Sequence, residues 1–102
     1  MSLVILYTPR SKETLSSVHN FIQNKFGVIS ADKFAAKVEK TITLIAEHPF
    51  IFKASTLDDS VRIGLINKQT SLFYRVTGTS IHLLFFWDNR QEPVLPEGFL
   101  NS

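Results

Sequence analysis

The chain has 102 residues, of which 44% are hydrophobic and 20% charged, proportions that predict one globular domain over residues 1–102 and exclude a disordered or fibrous protein. Its net charge of +2 excludes the strongly basic surface of a histone-like protein, so any cationic site must come from local clustering. The absence of cysteine excludes disulfides and cysteine nucleophiles and fits a reducing interior, and no segment is as long as a membrane helix, so we expect a cytoplasmic protein without a membrane partner.

The first elements that the sequence predicts are a strand and a helix. The continuous apolar run Leu3–Tyr7 has the length of a buried strand. Thr8 is a favourable N-cap, Pro9 suits the first helical position because its missing N–H costs nothing there, and Gly27 is suited to end the helix. Four apolar residues between these signals recur at helical spacing: Leu15, Val18, Ile22 and Phe26. The pattern therefore predicts a helix between Thr8 and Gly27.

A second helix and a loop follow in the sequence. Ser30 is expected to cap a helix that runs through about Glu47, with Pro49 just past its end. The apolar stripe of this helix is Phe34, Val38, Ile42 and Ile45. The two helices are therefore expected to form a hairpin that packs on a sheet. In the loop that follows, Phe50 and Phe52 are expected to pack against the core.

Three strands with alternating patterns come next. The segments Val61–Leu65, Leu72–Val76 and Ile81–Phe86 alternate with a period of two, and Asn67–Gln69 and Thr77–Thr79 supply the turns. In the last strand one face is expected to carry Ile81, Leu83 and Phe85, and the other His82, Leu84 and Phe86. Because both faces are largely apolar, this strand is either central in the sheet or covered by a partner. The whole order predicts an α+β fold: an N-terminal strand, a helical hairpin and a three-stranded antiparallel meander, or βααβββ.

Basic residues in these strands are the first candidates for function. The stretch 60–91 holds four basic residues and one acidic residue. Arg62, Arg75 and Arg90 fall at strand centres or exits, so a twisted antiparallel sheet is expected to gather them on or beside one surface. Guanidinium groups gathered in this way suit phosphates or carboxylates, because each planar fork donates two parallel hydrogen bonds. The alternative is that Arg62 and Arg75 are solvated or form internal salt bridges with nearby aspartates.

The order of elements and a set of short motifs resemble the RelE/ParE superfamily of bacterial toxins over residues 3–93. The motifs that carry this resemblance are Thr8-Pro9, Glu47-His48-Pro49, Val61-Arg62, Leu72-Phe73-Tyr74-Arg75 and Trp87-Asp88-Asn89-Arg90-Gln91-Glu92-Pro93. Each motif is weak alone, but their order and spacing together are fairly specific for the superfamily. The resemblance implies the toxin of a type II toxin–antitoxin pair, neutralised by a small antitoxin whose disordered C-terminal part folds onto the toxin.

The superfamily has two kinds of activity, and the end of the last strand bears on the choice. RelE-like members are ribosome-dependent mRNA endoribonucleases, whereas ParE-like members inhibit DNA gyrase without cutting RNA. Where nuclease members tend to carry Tyr or His, this chain has Trp87-Asp88, and the indole of Trp87 cannot transfer a proton. A nuclease would need a carrier such as His82 or Asp88, so no catalytic residue is assigned.

The exit 90–93 resembles the ParE-like and plasmid-stabilisation proteins. The resemblance therefore implies a toxin that binds and inhibits DNA gyrase and is not itself an enzyme. One alternative is a RelE-like endoribonuclease with the ribosome and mRNA as partners. Another is a non-toxic, toxin-derived module that retains antitoxin or DNA binding.

The residues expected to contact the antitoxin or the target lie in the last three strands and at their exit. They are Arg62, Phe73, Arg75, Leu84, Phe86, Trp87 and Arg90. The apolar members supply sheet surface that needs cover, and the arginines suit an acidic amphipathic ligand. The antitoxin is therefore the partner that the sequence indicates most directly.

Other polar residues have simpler explanations. His19 and His48 lack metal-like spacing, so no metal site is expected, and no cofactor is implied. Tyr74 is expected to be a core ring. Three lysines lie on one side of the second helix and form either a solvated face or a cationic stripe: Lys33, Lys37 and Lys40.

Overall fold

Two helices pack on one face of a four-stranded sheet in this protein. The computed structural model describes residues 2–90. The elements in chain order are β1 (Val4–Tyr7), α1 (Pro9–Phe26), α2 (Val28–Glu47), β2 (Val61–Leu65), β3 (Thr70–Val76) and β4 (Ser80–Asp88). The predicted α+β class and the order βααβββ are therefore confirmed.

Strand β4 lies inside the sheet, between β1 and β3. The strand order is β1-β4-β3-β2. The last three strands form the predicted antiparallel meander, and β1 pairs parallel with β4 from Val4 opposite Ser80 to Tyr7 opposite Leu83. Because β4 has a neighbour on each edge, its two apolar faces follow from a central position, the first of the two explanations that its pattern allowed.

The two helices meet at a single residue, Gly27. At the start of α1, Thr8 is the N-cap, its hydroxyl oxygen accepting the backbone N–H of Ser11 at 3.1 Å, with proline at the start of the helix as predicted. Gly27 has φ 97° and ψ 174°, a combination open essentially to glycine alone, and this lets α2 begin at once at Val28. The prediction that Ser30 caps α2 is therefore wrong, because the helix already begins two residues earlier.

The main core lies between the helices and the sheet. The predicted stripe of α2 is buried there, together with Leu72, Tyr74, Ile81 and Leu83, none of which is exposed at all. Tyr74 satisfies its buried hydroxyl by donating to the backbone oxygen of Pro49 at 2.9 Å. These residues confirm the predicted core.

The loop between α2 and β2 follows its prediction in part. Phe52 packs against the main core as expected. Phe50 does not, because its ring is 64% exposed and lies 4.7 Å from the guanidinium of Arg62. The loop also covers the free edge of β2, since the backbone N–H of Ile63 donates to Lys53 and the N–H of Ser55 donates to Val61.

A bulge in β4 changes which way its side chains point. Phe85 lies opposite Phe73, yet Leu83 lies opposite Tyr74, so Leu84 is an extra residue in the ladder. After the bulge, Phe86 joins the main core, while Leu84 and Phe85 cluster on the other side of the sheet, which we call the outer face. The prediction that Leu84 and Phe86 share one face is therefore wrong.

Helix α1 supplies the hydrogen bonds that β4 loses at this bulge. The pairing of β1 with β4 ends opposite Leu83, so the next backbone groups of β4 have no strand beside them on that edge. The hydroxyl of Thr8 donates to the backbone oxygens of Leu83 and Leu84 at 2.7 and 3.0 Å. The hydroxyl oxygen of Thr14 accepts the backbone N–H of Phe86 at 2.9 Å. Thr8 at the N-cap of α1 and Thr14 within the helix thus continue the edge that β1 begins.

Candidate functional site

A cleft of about 760 Å³ opens between the two helices and the end of β4. We call it the hairpin cleft. Its apolar lining is Val18, Phe21, Ile22, Phe26, Phe34 and Phe86. Phe34 and Phe86 are buried members of the main core, whereas Phe21 is 44% exposed and Phe26 is 59% exposed. The predicted helical stripe of α1 therefore ends in a ring that faces this opening rather than the core.

Cationic side chains border the hairpin cleft. Lys33 and Lys37 line it from α2, one helical turn apart, and Arg90 lines it from the end of β4. Among the residues that the structure describes, no carboxylate lies within 4.0 Å of either lysine. Lys40, the third lysine of the predicted stripe, does not line the cleft. The structure thus divides the stripe into two residues at the cleft and one away from it.

Arg90 differs from the two lysines because it has an acidic partner. Its Nε and Nη2 donate to the two carboxylate oxygens of Asp88, each at 2.9 Å. These hydrogen bonds lower the pKa of Asp88, and they raise the pKa of Arg90. The guanidinium also lies 5.5 Å from the ring centre of Phe21. Arg90 is therefore held at the cleft, but its charge is largely matched.

The predicted arginine surface does not form. Arg62 lies opposite Tyr74, on the helix side of the sheet, and its Nη1 donates to the backbone oxygen of Phe52 at 2.6 Å. Arg75 lies opposite Val61 on the outer face, with its Nη2 3.6 Å from a carboxylate oxygen of Asp58. The prediction that the three arginines gather on one surface is wrong, because the two strand positions point to opposite faces and Arg90 lies at the cleft.

The predicted apolar contact residues are also divided between the two sides of the sheet. Phe73 and Leu84 belong to the outer cluster, where the ring of Phe73 stacks on that of Phe85 with centroids 4.4 Å apart. Phe86 lies in the main core at the cleft, and Trp87 packs partly buried against the outer cluster. Phe73, Leu84 and Phe86 are all less than 9% exposed, so they are not the open surface that the pattern predicted. Their contact with a partner stays a prediction.

The candidate proton carriers do not converge on one place. His82 lies on the outer face opposite Arg75, with its Nε2 3.2 Å from the hydroxyl of Ser80. The β4 bulge puts His82 on the same face as Trp87, whereas a regular strand would have put them on opposite faces. Asp88 lines the cleft instead and is bound to Arg90 with a lowered pKa, which makes its carboxylate a weak proton acceptor.

Residues 2–90 contain neither a metal-binding cluster nor a membrane-spanning helix. No three His, Asp or Glu side chains in this range are grouped so that they could hold a metal ion. No helix in this range is long and apolar enough to cross a membrane. The predicted exit 91–93 lies outside the described residues.

The hairpin cleft itself was not predicted from the sequence. Phe21 precedes Ile22 and is not a member of the apolar stripe, so the helical spacing did not mark it as a candidate site residue. Lys33 and Lys37 were predicted to belong to a solvated face or a cationic stripe of the second helix, without the apolar cleft beside them. The signal that could have found the site is the pair of phenylalanines in the last turns of α1, Phe21 and Phe26, together with lysines one turn apart on the next helix.

Comparison with known families decides the family of this chain. The model of the family described as the ParE toxin of type II toxin–antitoxin system, parDE, matches residues 5–93. The chain belongs to the ParE toxin family. This confirms the resemblance that the motifs carried, including the ParE-like rather than RelE-like reading of the exit. No curated protein matches the sequence.

Several solved structures share the fold of this ParE family member. The chromosomal ParDE system from P. aeruginosa matches with a TM-score of 0.73 and 15% identity, over 85% of this chain and 96% of that chain. The RelBE2 toxin–antitoxin complex from Mycobacterium tuberculosis matches with a TM-score of 0.64 and 15% identity, over 87% and 100%. The YoeB dimer from Staphylococcus aureus matches with a TM-score of 0.57 and 18% identity, over 81% and 92%. At these identities the likeness concerns the fold.

Proposed function

We propose that this ParE family member is a toxin that binds DNA gyrase and inhibits it, and that a cognate antitoxin neutralises it. The observation that carries the proposal is the match to the ParE toxin family over residues 5–93. The ParDE and RelBE2 structures that share its fold are toxin–antitoxin systems, which supports an antitoxin as its partner. The mechanism we propose is binding, without a covalent step on the target.

The placement of the charged side chains supports binding rather than RNA cleavage. Cleavage needs a proton acceptor, a proton donor and cations around a single phosphate. In the described residues Arg62 and Arg75 lie on opposite faces of the sheet, and Asp88 is bound to Arg90. Trp87 occupies the place at the strand end where RNA cleavage would need a proton carrier, and an indole N–H is a hydrogen-bond donor only. These residues therefore lack a common reaction centre.

One neighbouring pair favours the alternative function, mRNA cleavage. His82 and Arg75 are direct cross-strand partners on the outer face of the sheet. Asp58 lies 3.6 Å from the guanidinium and offsets part of its charge. A carboxylate at this position would repel an incoming phosphate. The pair is therefore the place to look for cleavage if gyrase is unaffected.

A supercoiling assay tests the proposal directly. Purified protein is added to DNA gyrase, ATP and relaxed plasmid, and loss of supercoiled product is expected as the protein concentration rises. A type I topoisomerase acting on the supercoiled form of the same plasmid is the control, since its relaxation activity should not change. Supercoiling that is unaffected at a large excess of protein would refute gyrase inhibition.

A second experiment separates the alternatives. Primer extension on translated mRNA after induction should show no new ends if the toxin acts on gyrase. New ends that vanish in the His82→Ala variant, with gyrase unaffected, would support ribosome-dependent cleavage instead. Induction without growth arrest, new ends or loss of supercoiling would leave a non-toxic binding module.

A further inference from the structure

We propose that the free edge of β1 is the contact surface for a second copy of this chain, and that the two β1 strands pair antiparallel across a two-fold axis at Leu6. No residue of β1 is among those that line the hairpin cleft, so this surface is separate from the cleft. The pairing does not depend on the proposed action on gyrase.

The two edges of the sheet differ in how they are protected. The order β1-β4-β3-β2 makes β1 and β2 the edge strands. The loop after α2 covers the β2 edge through backbone hydrogen bonds of Lys53 and Ser55. By contrast, β1 has the sequence VILY, without a charge, a proline or a bulge, and three of its four residues are exposed. Because natural proteins protect free edges with such devices, an unprotected apolar edge is suited to pair with another strand.

The backbone of β1 presents two N–H groups and two carbonyls to its free edge. The N–H groups of Val4 and Thr8 each donate to a backbone oxygen on the β4 side at 3.3 Å. Since the direction of the backbone groups alternates along a strand, Ile5 and Tyr7 direct their N–H and C=O groups away from β4. Within residues 2–90, no hydrogen bond reaches these groups of Ile5 and Tyr7.

This pattern is its own complement when a second β1 runs antiparallel with the two Leu6 residues opposite each other. Ile5 of each copy then exchanges two hydrogen bonds with Tyr7 of the other, and all the free groups are satisfied. An axis at Ile5 would instead place Leu3 opposite Tyr7, and the N–H of Leu3 already donates to α2 at 3.1 Å. An axis at Tyr7 would place Ile5 opposite Pro9, which has no N–H. The free groups therefore select one register.

The side chains on the outer face suit the same register. Leu3 and Ile5 pack against the main core, so Val4 and Leu6 point to the outer face, where they are 60% and 43% exposed. With the axis at Leu6, its two copies form a close pair with Cα atoms about 4.5 Å apart, and Val4 lies opposite Thr8 of the other copy. Burial of this apolar surface adds to the new hydrogen bonds. A four-residue edge is a small contact, so the expected dimer is reversible.

A second copy fits this edge better than a segment of an unrelated protein. β1 has no charged side chain, so it offers nothing that would select a foreign segment by charge. Two-fold pairing instead joins the free groups to an identical strand that is itself unpaired, and two-fold dimers are the commonest form of self-association. A wild-type chain that stays monomeric would favour a foreign segment and would overturn the proposal.

Cysteine crosslinking tests the register, since the chain itself contains no cysteine. Leu6→Cys puts two thiols across the axis within the range of a disulfide. The matched control Val4→Cys changes an exposed residue on the same strand and face, but its two copies would lie about 14 Å apart, beyond the reach of a disulfide. Under a mild oxidant, L6C should form a covalent dimer about tenfold or more faster than V4C.

The same reaction gives the contrary results. Equal rates, or faster crosslinking of V4C, would mean random collision or another register and would overturn the proposal. In urea, where the chain is unfolded, the two variants should crosslink at equal rates. A preference for L6C that persists in urea would come from the reactivity of the thiol rather than from strand pairing, and would also count against the dimer.

Sedimentation velocity tests the noncovalent dimer over about 5 to 500 µM, a range suited to small, weak interfaces. The wild-type chain should pass from monomer towards dimer over this range. Leu6→Lys puts two ammonium groups directly opposite each other, so the midpoint should rise about tenfold or more. The matched control Leu65→Lys makes the same change at a leucine that is 54% exposed on the other edge strand, and it should dimerise like the wild type.

Equal loss of the dimer in both lysine variants would mean that net charge, and not the β1 edge, controls association. Both substitutions fall on exposed side chains, so circular dichroism should show an unchanged fold. Gyrase supercoiling is measured separately with the same proteins. Dimerisation as expected with gyrase unaffected would refute the gyrase proposal and leave the β1 contact standing, and the reverse result would do the opposite.

Discussion

The hydrogen bond from Phe86 to Thr14 offers the most direct test of how this fold is held together. Phe86 follows the β4 bulge, and its backbone N–H donates to the hydroxyl oxygen of Thr14 at 2.9 Å. Phe86 itself is only 3% exposed, so this N–H lies in a buried part of the strand. Thr14→Val keeps the shape of the side chain and removes the acceptor. The buried N–H then has no partner, since β1 ends before this position.

The expected loss of folding stability follows from the backbone N–H that is left without an acceptor. A buried backbone N–H left without an acceptor costs about 1 to 3 kcal/mol. Thr and Val have nearly equal helix propensities, so this difference is not masked by a change in the helix itself. At about 4 to 8 °C per kcal/mol for a domain near this size, the melting temperature should fall by roughly 4 to 24 °C. Thr14→Ser keeps the hydroxyl and should lose much less.

Urea unfolding measures this difference. Trp87 is the single tryptophan of the chain and is adjacent to Phe86, so its fluorescence reports on this region, while far-UV circular dichroism reports on the helices. The midpoint should fall for Thr14→Val at an unchanged slope, and stay near that of the wild type for Thr14→Ser. A Thr14→Val protein within about 0.5 kcal/mol of wild type, or an equal loss in Thr14→Ser, would refute the role given to the hydroxyl.

Two further predictions concern the acidic side of the cleft and the helix junction. Because the folded-state pKa of Asp88 is lowered, its stabilisation is present above its ordinary pKa of 3.8 and is lost as pH falls through the folded value. Urea midpoints of wild type and Asp88→Asn should therefore differ at neutral pH and converge in acid; a gap that persists at low pH would contradict this. Gly27→Ala should cost about 1 to 3 kcal/mol, since φ 97° with ψ 174° is strained for alanine although no atom lies within 4 Å of the added Cβ. A melting temperature equal to that of wild type would count against this strain.

Local patterns in the sequence were sufficient for most of the secondary structure. Thr8, Pro9 and Gly27 marked the ends of α1 because capping and positive φ depend on a few neighbouring atoms. The alternation in β2 correctly placed Val61 and Arg62 on opposite sides, since the side-chain period of a strand is two. Ser30 failed as a cap because Gly27 serves both helices, and a one-residue junction between helices leaves no composition signal.

The bulge in β4 shows where local patterns stop being informative. Leu84, Phe85, Phe86 and Trp87 are all apolar, so nothing in their order reveals that one residue is extra in the ladder. One inserted residue sends every later side chain to the other face. The error in placing Leu84 and Phe86 on one face came from this single shift. The hydroxyls that hold the bulge belong to Thr8 and Thr14, more than 70 residues earlier in the chain.

The sequence by itself determined the order of the elements, the α+β class and the ParE family, because these depend on periodicity, capping and motif spacing along the chain. Only the tertiary structure decided that the arginines diverge, that β4 is central and bulged, and that two helices and a strand end enclose the hairpin cleft. Arg62 and Arg75 take their faces from pairing with Tyr74 and Val61, and the cleft depends on contacts between segments far apart in sequence. Such contacts are settled by the packing of the whole chain, which no local pattern records.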